Sequence, residues 1–211
     1  MTDQELIEIT DIKKTKKGKF ALFSVDRFLF SVDETVLVSN HIEMGSVLTV
    51  FELERIRRES DIDKAKEKAF SLLGFKQYST KQLRDKLLEK YDEYTTDCVI
   101  RRIEELGYLN DRQYAEALVN GVITAKNMSP KAARNYLYSK GISKEITDEL
   151  MENYSGNEVE DIRELLERKY RRYDLSDPDQ RKKVTASLFR KGFRLSDIAE
   201  AIGSMEVDDY E

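Results

Sequence analysis

The chain has 211 residues, 36% of them charged, and a formal net charge of −5 at pH 7. A net negative charge argues against a general nucleic-acid coat protein, although an average can hide charged patches. The single cysteine, Cys98, excludes an intrachain disulfide, and no apolar run approaches the roughly 18 residues that a membrane span needs. We therefore expect a cytoplasmic protein without a membrane segment.

Residues 1–58 are predicted to form a strand-rich segment that ends in a linking helix. The stretch FALFSVDRFLFSVDETVLVSN, residues 20–40, is rich in phenylalanine, valine and threonine and is interrupted twice by turn-forming residues. This pattern favours short strands in a hairpin or meander, with one strand at 35–39. From about Gly45 onward the pattern becomes helical and stays so to the end of the chain.

Leucines, lysines and glycines recur in the helical part at a nearly constant spacing. Three leucines lie 50 and 51 residues apart, a lysine follows each after three residues, and two glycines repeat at the spacing of 51. These residues are Leu87, Leu137 and Leu188, Lys90, Lys140 and Lys191, and Gly141 and Gly192. The pattern predicts three copies of one helical unit.

The helix-opening signals agree with this repeat. Ser79 forms a capping box with Gln82, and Ser129 and Asp177 each precede a proline, as is typical of a helix start. Chance agreement is the alternative, and it weakens because caps, glycines and leucines coincide. We predict a mainly α fold of tandem three-helix repeats at 59–109, 110–156 and 157–211, the last with an acidic tail. Such units stack on their neighbours and predict an elongated, curved array.

The junction between the first two repeats is specified by side chains at both ends. Gly107 can take the left-handed conformation that ends a helix, and Asn110 with Gln113 resembles a capping box that starts the next one. Leu118 and Val122 then follow at helical spacing and are predicted to face the core. The sequence therefore predicts a helix, a tight corner and a second helix.

The search for catalytic groups finds little. The only histidine, His41, follows a predicted strand, where a surface residue is far more common than a catalytic base. No glycine-rich phosphate-binding loop, no His-Glu-x-x-His motif and no zinc-binding pair of cysteines occurs. We expect no enzymatic activity, no cofactor and no metal.

Charge is distributed unevenly in the second half of the chain. Residues 163–194 hold eleven basic against five acidic residues, whereas residues 143–161 hold one lysine against seven acids. Tyr170 and Tyr173 interleave with the basic residues, as in a surface that contacts phosphates and bases. A solvated helix face explains the cluster equally well. The candidate binding residues in this third repeat are Arg168, Lys169, Arg171, Arg172, Lys182, Lys183, Arg190, Lys191 and Arg194.

A second candidate set lies in the first repeat. It consists of the basic residues Lys76, Lys81, Arg84 and Lys86. A solvated helix face is the favoured alternative for this set.

The stretch KAKEKAFSLLGFKQYSTKQLRDKLLEKYDEYTTDCVIRRIEELGYLNDRQYAEALV resembles the central region of the RecX family, bacterial regulators of the RecA recombinase. The most specific match is GYLND followed two residues later by YA, and the resemblance continues through GISKEITDEL to cover most of residues 60–203. Two departures stand out: Lys76 replaces a common arginine, and Gln82 replaces the usual glutamate. A lysine keeps the charge but loses the bidentate fork of arginine.

The resemblance implies tandem three-helix repeats and no enzymatic activity. It also implies binding to RecA or to its single-stranded DNA filament, which restrains filament growth, ATP hydrolysis and strand exchange. We expect a monomer with weak direct DNA binding, whose acidic segment 143–161 faces a basic filament surface. The alternative is a stand-alone helical repeat protein that binds single-stranded nucleic acid without a protein partner.

Overall fold

A computed structural model describes residues 5–152, 154 and 157–208, without the side chains of 205–208. The N-terminal elements are β1 (Leu6–Glu8), β2 (Asp11–Lys14), β3 (Phe20–Ser24), β4 (Arg27–Val32), α1 (Glu34–Ser39) and β5 (Val47–Thr49). The helices that follow are α2 (Val50–Leu73), α3 (Thr80–Leu88), α4 (Glu93–Glu105), α5 (Asp111–Leu118), α6 (Thr124–Lys126), α7 (Pro130–Ser139), α8 (Lys144–Glu152), α9 (Glu158–Leu165), α10 (Pro178–Arg190) and α11 (Leu195–Asp208). The predicted fold class, mainly helical with three three-helix domains and a small β segment, is confirmed.

Strands β2, β3 and β4 form one antiparallel sheet, and β1 pairs with β5 in a second. The β3–β4 turn places Val25 and Asp26 in the left-handed region, as two-residue hairpins that match strand twist require. Ile9, Leu22 and Val36 are buried together in the core of this segment. The predicted hairpin is therefore present and has its own apolar core.

One element of this segment was predicted wrongly. Residues 35–39 are helical, within α1, and do not form a strand. Asp33 takes the extended backbone conformation of an N-cap, and Val36 packs into the core of the β segment. A short helix is enough to bury Val36 in this way. A short run of valines does not distinguish a strand from a buried helical turn, so packing decided the outcome. The helical pattern expected from Gly45 begins at Val50, after β5.

The chain divides into two compact units. The N-terminal unit contains residues 1–77 and 83–108, and the C-terminal unit contains residues 78–82 and 109–211. The start of α3 thus belongs with the second and third repeats. The repeated leucines Leu87, Leu137 and Leu188 are completely buried, as their spacing predicted.

The predicted helix boundaries around Gly107 are confirmed. Gly107 has a φ of 76°, and the amide of Tyr108 donates to the carbonyl of Ile103, which closes α4 in a left-handed cap. The side chain of Asn110 accepts a 2.9 Å hydrogen bond from the amide of Gln113 and starts α5. The left-handed cap and the Asn110 N-cap are therefore present as predicted, whereas the described residues show no reciprocal hydrogen bond from the Asn110 amide to the Gln113 side chain, so the capping box is incomplete.

The end of the first helix in repeat 2 differs from the predicted helical spacing. A π-helical turn, Val119–Ile123, follows α5, so Ile123 is buried where an α-helical phase would bury Val122. The hydroxyl of Thr124 donates to the carbonyl of Val119, five residues earlier, at 2.7 Å. A π-helical turn, which holds one residue more than an α-helical turn, also follows α9 at Leu166–Tyr170. A search for a 3.6-residue period cannot detect such a shift.

The repeats of the C-terminal unit are joined through the N-caps of their middle helices. Ser79, at the start of α3, donates from its hydroxyl to the carbonyl of Lys140 at 2.6 Å. The equivalent Ser129, at the start of α7, donates from its amide to the carbonyl of Lys191 at 2.9 Å. Each middle helix therefore ends against the N-cap of the middle helix one repeat earlier.

A glycine makes each of these joints possible. Gly192 has a φ of 97°, and a Cβ there would lie 2.5 Å from the Cβ of Ala132 and 2.7 Å from the hydroxyl of Ser129. At Gly141, with a φ of 82°, the nearest atom would be the Cβ of Lys81 at 2.8 Å. Only a residue without a side chain lets the two backbones approach this closely.

We expect Gly192→Ala to destabilise the protein more than Gly107→Ala. Both glycines have a positive φ, which costs alanine about 1–2 kcal/mol. A Cβ at Gly107 meets no atom within 4 Å, whereas a Cβ at Gly192 collides with repeat 2, which adds about 1–3 kcal/mol. Urea unfolding of the two variants measures the difference. Equal losses of stability would show that the joint tolerates a side chain.

A buried threonine offers a second test of the repeat. The hydroxyls of Thr96 and Thr147 are buried without a hydrogen-bond partner among the described residues, and the equivalent position in repeat 3 is the buried Ile198. We expect Thr147→Val to raise the free energy of unfolding by about 1 kcal/mol, because it removes an unsatisfied polar group at constant shape. Thr95→Val is the matched control. Its hydroxyl donates to Asp92, so that variant should lose stability, and a loss in Thr147→Val would contradict the argument.

Candidate nucleic-acid interface

The predicted binding residues of repeat 3 come from three neighbouring stretches. The π-helical turn after α9 carries Arg168 and Lys169, and Arg171 and Arg172 follow it directly. Lys182, Lys183 and Arg190 lie on α10, and Arg194 precedes α11. Among the nine residues, Lys191 is half-buried and the others are exposed: Arg168, Lys169, Arg171, Arg172, Lys182, Lys183, Arg190 and Arg194.

Tyr170 ties the first of these stretches to α10. Its hydroxyl lies 2.8 Å from the hydroxyl of Ser187, and its ring centroid lies 6.0 Å from that of Tyr173. Lys183 and Arg190 lie one turn before and one turn after Ser187 on the same face of α10. The structure therefore brings the tyrosine pair next to cations of α10, as their interleaving in the sequence had suggested.

Two of the predicted binding lysines have partners inside the chain. The ammonium group of Lys169 donates to the side-chain oxygen of Asn127, and that of Lys191 donates to the carbonyl of Lys126. Both acceptors lie at the end of α6 in repeat 2. These lysines therefore fasten repeat 3 to repeat 2, which limits their freedom to reach a ligand.

The candidate set in repeat 1 is committed to ion pairs to a larger extent. Arg84 lies 3.0 Å from Asp97 and 2.9 Å from Glu93, and the hydrogen bonds to these carboxylates raise the pKa of its guanidinium. Lys86 pairs with Glu89 at 2.5 Å. The structure thus gives α3 a surface of balanced charge. Lys81 also lies on α3, and the backbone of Gly141 packs against its side chain, whereas Lys76 lies between α2 and α3.

The acidic segment 143–161 is also partly neutralised. Asp148 lies 2.6 Å from Lys144, whose hydrogen bond lowers the pKa of that carboxyl. Glu149 lies 2.6 Å from Arg112 and has a lowered pKa for the same reason. Fewer of these acids than the sequence suggested are available to a basic partner.

Asp161 differs from the other carboxylates of this segment. It lines a pocket of about 180 Å³ beside Tyr154, Glu164 and Arg168. Burial raises the pKa of Asp161, and the neighbouring carboxylates of Glu164 and Glu160 raise it further. Its ionised form therefore opposes folding near neutral pH.

We expect Asp161→Asn to stabilise the protein at neutral pH. Folding raises the pKa of the Asp161 carboxyl, so the wild-type protein loses stability as the pH rises through that pKa. The free energies of unfolding of variant and wild type should therefore differ at pH 7 and converge in acid. Asp148→Asn is a control of opposite sign, because the pKa of Asp148 is lowered and its contribution is lost as the pH falls. Urea unfolding across this pH range measures both. A stability difference for Asp161→Asn that does not change with pH would contradict the argument.

Two exposed aromatic residues were not singled out from the sequence. Tyr138 and Phe189 directly follow the core leucines Leu137 and Leu188 and are 39% and 57% exposed. Aligning the three repeats on those leucines places Leu88, Tyr138 and Phe189 at one position, and this alignment would have drawn attention to them. Leu88 is also exposed. Each repeat therefore displays one apolar side chain at the end of its middle helix.

Groups that would indicate other functions are scarce in the described part of the chain. It contains no cluster of histidine, cysteine and acidic side chains that could hold a metal ion. None of its helices is long and apolar enough to cross a membrane. His41 is exposed and takes a left-handed backbone conformation just after α1.

Comparison with known proteins relates the three repeats to one family. Residues 65–102, 110–151 and 157–202 match the first, second and third three-helix domains of RecX, respectively. Two relatives described as regulatory protein RecX come from Listeria welshimeri and Bacillus subtilis. Both are 28% identical to this chain and cover 92% and 96% of it, with 74% and 79% of their own lengths aligned.

Two solved structures have a similar fold. A crystal structure of regulatory protein RecX superimposes with a TM-score of 0.61 at 23% identity and covers 94% of this chain and 99% of its own. A crystal structure of RecX from Lactobacillus salivarius has a TM-score of 0.56 at 26% identity and covers 70% of this chain and 97% of its own. The arrangement of helices described above is thus shared with experimentally solved proteins.

Proposed function

Because this chain belongs to the RecX family, we propose that it is a non-enzymatic regulator of the RecA recombinase. It binds RecA or the filament that RecA forms on single-stranded DNA, and it restrains filament growth, ATP hydrolysis and strand exchange. The relatives' description as regulatory proteins supports the regulatory role. The lack of a metal cluster among the described residues and the exposed, isolated His41 favour a role without catalysis.

The observation that carries this proposal is the group of unpaired cations on repeat 3. Arg171, Arg172, Lys182 and Lys183 are exposed and form no ion pair with any residue that the structure describes. Other cations of the chain do form ion pairs with carboxylates, as Arg84 and Arg112 do. A phosphate backbone or an acidic protein surface can bind such solvated cations without first breaking an ion pair.

Tandem repeats suit a filament because the partner is also repetitive. Contacts from successive repeats act together through effective concentration, so several modest interactions produce tight binding. The carboxylates of 143–161 that remain outside ion pairs, such as Glu145, suit a basic surface of the filament. The cations of repeat 3 suit DNA or an acidic surface.

The second candidate function is a stand-alone single-strand binder that needs no recombinase. The aromatic residues near the cations favour it, whereas the net charge of −5 opposes it. Affinity for bare DNA at moderate salt separates the two functions. A regulator of the filament should bind bare DNA weakly and the filament tightly.

We expect reversal of Arg171, Arg172, Lys182 and Lys183 to glutamate to weaken binding to the filament. Each lost phosphate contact should reduce the slope of log affinity against log salt by roughly 0.7. Fluorescence anisotropy on RecA filaments, with and without nucleotide, measures affinity and slope, and a strand-exchange assay measures inhibition.

The control is an equal charge change elsewhere, at Lys16, Lys17, Arg57 and Arg101, which are also exposed. This control variant should bind as the wild type does. If both variants lose affinity equally, net charge and not the repeat 3 surface determines binding. If wild-type protein binds no filament at all, the proposed function is wrong.

A further inference from the structure

Most of the middle helix of repeat 2 and most of that of repeat 3 lie in basic stretches without an acid. Residues 131–144 contain four basic residues and 181–194 contain six, and neither stretch contains an acid. The same stretch of repeat 1 is different, since Asp85 and Glu89 lie within it. Acids still border both stretches, because Asp179 lies on α10 one turn before Lys182 and Asp148 of α8 lies 3.7 Å from Arg134 of α7.

Each of these two helices displays a lysine and an aromatic ring on one face. Lys131 and Tyr138 on α7, and Lys182 and Phe189 on α10, are seven residues apart, which is two helical turns. All four side chains are exposed. The two lysines form no ion pair with any described residue. At 1.5 Å per residue, each lysine lies about 10 Å along the helix from its ring.

The joint between the repeats places the two faces in succession. The amide of Ser129 donates to the carbonyl of Lys191, and Gly192 packs against Ala132. The last turn of α10, which carries Phe189, therefore adjoins the first turn of α7, which carries Lys131. In order along the two adjoining helices, the exposed residues are Lys182, Phe189, Lys131 and Tyr138.

We propose that this row of four side chains binds single-stranded nucleic acid, with Phe189 and Tyr138 stacking on bases and Lys182 and Lys131 contacting phosphates. The inference rests on the proposed function, because it assigns part of the repeat 3 surface to the DNA. A polymer that alternates a phosphate with a flat base matches a surface that alternates a cation with a ring. The excess of basic residues in 131–144 and 181–194 favours the approach of phosphates.

Small neighbours keep the Phe189 ring accessible. Thr185 and Ala186 lie one turn before it on α10, so no long side chain from that turn covers its face. Arg190 lies beside it in sequence and adds a cation that can contact the same strand. In repeat 1 the equivalent residue is the aliphatic Leu88, on a helix whose Arg84 and Lys86 are paired with acids. We infer that the row ends at the joint between repeats 1 and 2.

The test compares two ligands that differ only in their bases. Affinity of the full chain for a labelled oligothymidylate and for an abasic strand of equal length is measured by anisotropy at low salt, without RecA. The double variant Phe189→Ala, Tyr138→Ala should bind oligothymidylate at least about tenfold more weakly, with little change on the abasic strand. The double variant Lys182→Ala, Lys131→Ala should lose affinity for both ligands and reduce the salt slope.

Two single variants are matched controls, Leu88→Ala and Tyr94→Ala. Leu88 occupies the equivalent position of repeat 1, and Tyr94 is an aromatic residue that is even more exposed. Neither should change the affinity for either strand. Circular dichroism and urea unfolding of each variant show whether the fold is retained.

Binding of the same variants to the RecA filament separates the two proposals. If the aromatic double variant keeps its affinity for oligothymidylate but loses the filament, the row contacts protein, and the inference is wrong while the proposed function stands. An equal loss on both strands would show that the rings support the fold or the cations and do not stack on bases. Wild-type protein that binds DNA but no filament would overturn the proposed function and leave this inference intact.

Discussion

The C-terminal unit depends on one repeated contact. The N-cap serine of a middle helix donates a hydrogen bond to a carbonyl at the C-terminal end of the middle helix in the following repeat. Ser79 and Ser129 are completely buried, and each caps its own helix while donating to a neighbour. The carbonyl end of one helix thus meets the amide end of another, which aligns their dipoles favourably. Gly141 and Gly192 permit this approach because any side chain would collide with the neighbouring helix.

In a joint of this kind, buried residues maintain the fold and exposed residues determine the surface charge. The buried leucine recurs in all three repeats, the N-cap serine in repeats 1 and 2 and the glycine in repeats 2 and 3, so the exposed face of each middle helix is held in a comparable position while its charges are free to differ. In repeat 1 these charges form ion pairs around Arg84, whereas in repeat 3 Lys182 and Lys183 stay unpaired among the described residues. One architecture can therefore carry surfaces with different partners, and function follows from the side chains displayed on it.

The N-terminal segment is stabilised by a different kind of packing, between strands and a helix. Its apolar core, which includes Ile9, Leu22 and Ile56, combines two small antiparallel sheets with one face of α2. The capping box of Thr49 and Glu52 starts α2 directly after β5, so the chain passes from strand to helix without a loop. A small sheet of three strands gains its stability from such packing against a helix.

The sequence by itself determined the features that depend on hydrogen bonds between near neighbours. The caps at Ser79, Asn110 and Asp177 and the left-handed glycines were predictable because donor and acceptor lie within a few residues of each other. The helical turn of α1, the two π-helical turns and the ion pairs of Arg84 were not predictable in this way. They depend on packing and on partners elsewhere in the fold, as does the joint of Ser79 with Lys140, whose residues lie 61 positions apart. Only the tertiary structure brings such groups together, and it alone decides which cations remain free to bind.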